Sequence, residues 1–389
     1  MRERAESADR AETNGSGNAH DTGRASAPRR SAANRFGVDY RAEARTFAAP
    51  PRPIIDGHCH INGERASVIF RDVMDAYGVE RVYSQTQLAD AEAVRANLGD
   101  RVRFVAIPEY SAGSRHAFTD GFLANLDVWH AEYGARMVKL WHAPRWRDFA
   151  RAMGGDPTEL LELDGAWKRR IADRAVELGM VLMTHTGDPD TWFATKYKDA
   201  SVYGTKAYQY EALERMMELY PVPWLLAHMG GWPEDLDFLA GLLERHPKAV
   251  VDTSATKWMV RELSKHDRAK LVGFLERFEG RVVFGSDIVT HDEHLSVSDS
   301  ARFAADLASN EDEAFDLYAS RYWALRTMWE SDYEGESNIA DPDLAMVEPD
   351  RYDAMSAPAL VGRGLPREML DVLYRGACEG TLDRWYQSR

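Results

Sequence analysis

Two histidines one residue apart, His58 and His60, stand in the stretch "IIDGHCHING", where a short apolar run ends at a glycine. On an extended segment alternate side chains share a face, so both imidazoles can address one ion while Cys59 points behind them. Other apolar runs close on polar residues in the same way. Glu109 follows "RVRFVAIP", Lys139 and His142 lie in "ARMVKLWH", and His185 lies in "MVLMTHTGD". His228 lies in "VPWLLAHMGG" and Asp287 ends "RVVFGSD". The imidazoles of His58, His60 and His185 with the Asp287 carboxylate suit one divalent metal. Zinc comes first, with manganese, cobalt or iron as alternatives, while calcium and magnesium prefer more oxygen ligands. A metal held this way can acidify a water, polarise a carbonyl or orient a carboxylate.

Each residue also has a plainer use. An aspartate at a strand end caps the next helix, and a lone histidine packs a core. For His58, His60, His185 and Asp287 the shared placement favours ligation. His228 is open between a fourth ligand, a support for a ligand, and a proton carrier whose ordinary pKa of about 6.5 suits that work. His228 and Asp287 are therefore the candidate catalytic residues. Lys139 is either a buried ion-pair partner or a substrate contact. His142, Glu109 and Arg145 are candidate substrate contacts that could equally line the mouth for packing. His291 and His294 follow the eighth strand and stand evenly between a loop over the mouth and solvent. Trp141, Trp146, Trp192, Phe193 and Tyr197 gather near the same strand ends and suit a planar ligand, with Arg145 or Arg147 available to a carboxylate.

For these residues to meet, the chain must bring many strand ends together. From Pro53 onward, eight short apolar runs rich in Val and Ile alternate with helical spacings. Such runs read as parallel strands buried on both faces. Eight strand–helix units fit a (β/α)₈ barrel, whose strand ends converge on one mouth. A doubly wound open sheet is the rival, but no glycine-rich phosphate loop follows an early strand. Residues 1–35 carry no aromatic residue and are expected to form a disordered tail. Residues 36–389 are expected to form one domain. Within it, the acidic stretch 331–364 interrupts the pattern and is expected as an irregular surface loop rather than a lid. Residues 365–389 form a terminal helical region expected to dock on the barrel.

The chain has 389 residues, 44% of them hydrophobic, which is ample for a large core. A formal charge of −15 disfavours nucleic acid and anionic membranes as partners. Two cysteines give no disulfide framework. No run is apolar enough to span a bilayer and no secretory signal opens the chain, so a cytoplasmic location is expected.

Taken in order, "DGHCH", "VKLW", "THTGD", "AHMGG" and "FGSD" resemble the amidohydrolase superfamily, in the branch that includes aminocarboxymuconate-semialdehyde decarboxylase. The resemblance covers about residues 53–290, and "LPREMLDVLYRGACEGTLDRW" is similar to that branch's closing segment, although Arg-Gly-Ala-Cys stands where Gly-Asn-Ala is usual. It implies a barrel enzyme with a mononuclear metal on His58, His60, His185 and Asp287. His228 would then act on the water or the substrate, and Lys139 would remain uncarboxylated. Branch members hydrolyse, hydrate or decarboxylate. The expected activity is hydrolysis of a carbonyl-type bond in a small, aromatic or carboxylate-bearing molecule. Non-oxidative decarboxylation of an aromatic or unsaturated acid at the same metal is the alternative. A barrel kept only for binding or assembly is a third reading, which a complete His–His–His–Asp set disfavours. The resemblance also makes a homodimer an open expectation, with "DRWY" near the C-terminus either at an interface or against its own barrel.

Overall fold

The computed structural model describes residues 30–297 and 308–387. Eight parallel strands form the centre: β1 Ile54–Cys59, β2 Val79–Ser84, β3 Val102–Phe104, β4 Met137–His142, β5 Val181–Thr186, β6 Trp224–Leu226, β7 Ala249–Asp252 and β8 Val282–Val283. Pairing runs β1-β2-β3 in one sheet and β4-β5-β6-β7-β8 in another. Backbone hydrogen bonds cross both seams. Ala106 N donates to Met137 O and Lys139 N to Ala106 O, while Gly57 N donates to Phe284 O and His60 N to Ile288 O. The strands are short because their C-terminal ends turn at once into site loops. β6 stops where His228 and Met229 take left-handed backbone angles, φ 59° and 50°.

Helices follow each strand and pack outside, as the alternating pattern requires. Glu64–Tyr77 buries Ala66, Phe70, Val73, Met74 and Tyr77 on one stripe and ends at left-handed Gly78. The longest helix, Glu311–Glu330, closes the series and is buried along most of its length. The barrel interior below the mouth is filled by Ile55, Tyr83, Val105, Met137, Met183, Leu225 and Val283. The terminal segment plugs this floor, since Ala377, Cys378 and Leu382 belong to the same cluster. Tyr386 OH donates to Phe104 O at 2.5 Å and Tyr83 OH to Asp383 at 2.5 Å. The "DRWY" segment therefore packs on its own barrel.

Two boundaries differ from expectation. The expected tail lies outside the described residues up to position 29, but its last residues are packed. Asn34 is fully buried, and its side chain donates to Val38 O and to Asp316. Residues 331–364 are not an irregular loop. Strands β9 Glu334–Glu336 and β10 Ala359–Val361 pair antiparallel, and Pro342–Val347 is a helix. Two acids of this segment are drawn inward by Arg261, which forms ion pairs with Asp341 and, at 3.1 Å, with Asp343. Clustered acids gave the stretch a solvated look, but a buried arginine gives two of them a partner. Among the described residues no helix is long and apolar enough to cross a membrane.

Candidate metal centre and its cavity

The alternation of β1 places His58 and His60 on one side, as their spacing requires. Their Nε2 atoms lie 3.3 and 3.2 Å from the same oxygen of Asp287, which arrives from the loop after β8. Around a tetrahedral cation with bonds of about 2.0–2.1 Å, neighbouring donor atoms stand roughly 3.3 Å apart. The three donors are therefore spaced as ligands of one ion would be, and their nitrogen–oxygen chemistry fits a borderline divalent metal. Asp287 reaches this point with φ 59°, a backbone strain seldom kept without a role. Cys59, between the histidines, is buried behind them with Sγ 3.5 Å from Tyr83 O.

The group is held from below by residues that sequence reading missed. Asp252, the last residue of β7, is fully buried, and its Oδ2 lies 2.8 Å from His58 Nδ1. A carboxylate only accepts, so His58 carries its proton on Nδ1 and turns the Nε2 lone pair to the metal point. Asp252 Oδ1 accepts the backbone N–H of His228 at 2.9 Å and of Ser254 at 3.0 Å. Ser254 Oγ touches Asp252 Oδ1 and lies 2.7 Å from His228 Nδ1. With the serine proton given to the carboxylate, His228 donates from Nδ1 to Ser254 and Nε2 is left as the free acceptor. The only trace of this device in the sequence is "VVDTSA" at the seventh strand end, in the same place as the other strand-end residues. Behind β1, Asp56 fixes the loop after β8, accepting Ser286 N, the Ser286 hydroxyl and Tyr322 OH.

Charge states follow from burial and these contacts. Burial, helped by the Lys139 charge, pushes His58 down to about 4, so its ring is neutral and able to ligate. Burial lowers His228 well below its ordinary value, against the pull of Asp287. For Asp287 burial acts upward, but the hydrogen bond with His60 and the surrounding imidazoles of His228 and His58 favour the ionised form and hold it far below the carboxylate range. Asp252 is also held low, its own burial outweighed by His58, His228 and Ser254. Lys139 sits 3.4 Å from His58 Nε2, and burial brings it down to about 8.

A cavity of about 840 Å³ opens over this group, with His60, Lys139, His185, His228 and Asp287 on its wall. His185 is near but apart from the three-donor group. Its ring centroid is 4.7 Å from that of His228, and its Nε2 meets Asp188 at 3.1 Å. Asp188 is in turn fixed by Tyr197 OH at 2.8 Å. Trp141, Phe149, Trp192 and Trp258 supply flat apolar walls, and Asp341, Pro342 and Asp343 cover one side. The acidic segment thus acts as part of the cover.

Three expected substrate contacts do not line the cavity. His142 is three positions from Lys139, so strand alternation turns it to the other face. It is buried beside Trp146 with neither ring nitrogen paired, and burial pushes it down to about 3. Glu109 accepts the Ser111 hydroxyl at 2.5 Å in a turn outside the cavity. Arg145 is exposed, with its guanidinium 5.3 Å from the Phe149 ring centre, and Arg147 is spent on Tyr203 O. Arg261, Arg321, Lys196 and Lys257 take the place expected of them on the cavity wall. They come from helices and loops whose spacing in sequence carries no positional signal. Of the two histidines left between mouth and solvent, His294 is buried on the cavity wall with Nδ1 2.9 Å from Tyr318 OH, whereas His291 caps its own short turn.

With this geometry in view, comparison with known proteins places the chain. Residues 41–345 match the amidohydrolase family model, and the chain belongs to that family. It is a family of metal-dependent enzymes. No curated protein sequence matches. Among solved structures, 2,6-dihydroxybenzoate decarboxylase from Rhizobium is similar at 15% identity and a TM-score of 0.37, over 76% of this chain and 96% of that one. 5-Carboxyvanillate decarboxylase from Novosphingobium aromaticivorans, complexed with manganese and a nitrobenzoic acid, is similar at 13% identity and a TM-score of 0.39, over 84% and 80%. A probable 2-pyrone-4,6-dicarboxylic acid hydrolase from Acinetobacter baumannii, with citric acid bound, is similar at 13% identity and a TM-score of 0.37, over 68% and 92%.

Proposed function

We propose that the chain is a metal-dependent hydrolase acting on a carbonyl-type bond of a small, planar, acid-bearing molecule. The observation that carries the reading is the meeting of His58 and His60 Nε2 on one Asp287 oxygen beside His228, whose Nδ1 is already taken by Ser254. His58, His60 and Asp287 would hold one divalent cation, zinc first by donor chemistry, with His185 as the third imidazole once its Nε2 leaves Asp188. Such a cation supplies Lewis-acid activation of water and of a carbonyl or carboxylate group. Asp287, kept ionised, accepts a proton from the attacking water. His228, neutral and with Nε2 free, takes that proton from Asp287 at Nε2 and delivers it to the leaving group. The Asp252 carboxylate keeps His58 in the ligating tautomer. The aromatic walls exclude bulk water and clamp a flat substrate.

Non-oxidative decarboxylation is the second reading. It is favoured by the cavity wall, which joins flat rings to several cations as an organic acid needs. There His228 would deliver a proton to the carbon that loses carbon dioxide. One assay separates the two. Purified protein loaded with zinc or manganese is given a panel of aromatic acids, lactones and amides, and released carbon dioxide is measured against ring-opened acid, alcohol or amine. Hydrolytic products with no carbon dioxide support the first reading. Carbon dioxide alone establishes the second and removes the first.

A further inference from the structure

Several cations of the cavity wall form no ion pair among the described residues, and Arg321 and Lys257 are two of them, carried by helices that pack on each other. Arg321 projects from helix Glu311–Glu330, and among the described residues its Nη1 donates to neutral groups, Leu317 O at 2.7 Å and Ser320 Oγ at 2.9 Å. Lys257, in helix Thr256–Leu263, has no hydrogen-bond or ion-pair partner among the described residues. Both are half-buried. The acids nearest them are already engaged. Arg261 holds Asp341 and Asp343, and Asp343 also accepts Trp192 Nε1 at 2.9 Å. Burial brings Arg321 down to about 10, and burial with the charge of Arg321 lowers Lys257 against the pull of Asp341 and Asp343, which Arg261 already holds. Their helices, Thr256–Leu263 and Glu311–Glu330, pack on each other, so the two positive groups share one part of the wall. Leaving desolvated cations side by side is costly unless an anion arrives between them. In a chain of net charge −15, acids to pair them would have been easy to place.

We propose that Arg321 and Lys257 form an anion subsite that binds a second carboxylate of the substrate, remote from the group that reacts at His58, His60 and Asp287. The substrate class is thus a planar dicarboxylate, or a planar carboxylate whose other end carries the reacting carbonyl. A guanidinium fork accepts a carboxylate through two parallel hydrogen bonds, and the lysine adds a point charge. Trp141, Trp192 and Trp258 on the same wall fit the flat body between the two ends. Arg321 and Lys257 would fix which end of the substrate meets the metal, so they determine specificity whether the reaction is hydrolysis or decarboxylation. The inference rests on the reading that this cavity is the active site.

The test uses the metal-loaded full chain and three probes: benzoate, isophthalate and terephthalate. Binding is followed by the fluorescence of the cavity tryptophans, and metal content is measured in the same samples. The better dicarboxylate should bind about tenfold or more tightly than benzoate, as one extra charge-assisted pair provides. Arg321→Gln and Lys257→Gln should each cut that ratio to roughly threefold or less while benzoate affinity moves little; Arg321→Lys should restore part of it. Circular dichroism melting identifies any variant that has lost its fold, and Lys257→Gln carries the test if Arg321→Gln does so. Equal binding of mono- and dicarboxylates, or equal weakening of both by the variants, overturns the proposal, as does failure of all three probes to bind. Failure of the metal reading looks different: the protein retains no metal, and chelator leaves the binding of all three acids unchanged.

Discussion

Replacing Asp252 with asparagine changes almost no volume but reverses one hydrogen bond. The carboxylate accepts three donors at Oδ1, from His228 N, Ser254 N and the Ser254 hydroxyl, and asparagine can keep all three with its own oxygen. Its Nδ2 then stands where Oδ2 stood, 2.8 Å from His58 Nδ1, and that atom is now a donor. His58 must give up its Nδ1 proton to accept it, and the proton moves to Nε2, the atom 3.3 Å from Asp287. A protonated Nε2 cannot ligate. Keeping the ligating tautomer instead leaves two N–H groups facing each other in a fully buried site. Either way the lost charge-assisted bond is worth about 1.5–3 kcal/mol, since no solvent screens it. That is roughly a 10- to 150-fold loss of metal affinity, in line with removal of a carboxylate that orients a histidine ligand.

The assay is competition against a graded series of chelators at pH 7.5, with zinc and with manganese, alongside the thermal midpoint of the metal-free protein. Asp252→Asn should melt within a few degrees of wild type without metal and should lose most of the stabilisation that metal gives wild type. If the variant holds metal as tightly as wild type, His58 is not a ligand through Nε2 and the tautomer argument fails. If it loses metal only in step with a large drop in the metal-free midpoint, Asp252 is a packing residue and nothing more.

The neighbouring residues give further expectations. Ser254→Ala leaves the His58–Asp252 pair intact but frees His228 Nδ1, so turnover should fall by about 10²-fold or more while metal content stays near wild type. His228→Asn should behave alike, and metal loss equal to its activity loss would contradict a proton-transfer role. His185→Ala separates two arrangements: loss of metal makes it a ligand, whereas retained metal with weaker substrate binding assigns it to Asp188 and the wall. Asp316 is not on the cavity wall; it accepts from Asn34 and tests the packed N-terminal lead-in. Burial raises its carboxyl from 3.8 to about 6, so the folded state prefers the protonated form. That contribution is complete below pH 3.8 and is lost as pH rises through about 6. Asp316→Asn should therefore match wild type at the acid end and exceed it by roughly 1 kcal/mol above pH 7, after allowance for solvent screening of a part-exposed group. A melting-temperature gap that shrinks as pH rises would contradict the sign.

The barrel was readable in the sequence because each strand is short, apolar and followed by a helix with a clear stripe, and because the mouth residues sit at strand ends. Alternation also settled Cys59 against His58 and His60. The same rule, carried three positions along β4, would have turned His142 away from the cavity. That error came from treating every polar residue near a strand end as facing the mouth. What the sequence could not reveal has a different origin. Arg321 and Lys257 lie on helices outside the strand register, so only packing decides that they look inward. Asp341 and Asp343 read as solvated charge until buried Arg261 appears as their partner.

Asp252 and Ser254 lie between these cases. They stand at a strand end, in the place where the other functional residues were sought, but "KAVVDTSA" reads simply as a strand and its polar end carries no histidine to draw notice. Their importance comes from what meets them: two histidines from different strands, each presenting Nδ1 to the same small acidic shelf. The strained backbone makes the same point. Within the described chain, the non-glycine residues with left-handed angles are His228, Met229, Ala255 and Asp287. All four lie just beyond the ends of β6, β7 and β8, around Asp252. Gly231, two residues past Met229, is fixed as glycine because a Cβ there would overlap the Thr186 carbonyl oxygen. Four strained residues around one buried carboxylate cost about 1–3 kcal/mol each, and the wall they shape presents His228 and Asp287 together. Relaxing one of them should therefore raise stability and lower activity. Ala255→Gly is the cleanest instance, since residue 255 lines the cavity but offers no chemistry of its own. A higher melting temperature with unchanged turnover would mean that the strain serves the fold rather than the site.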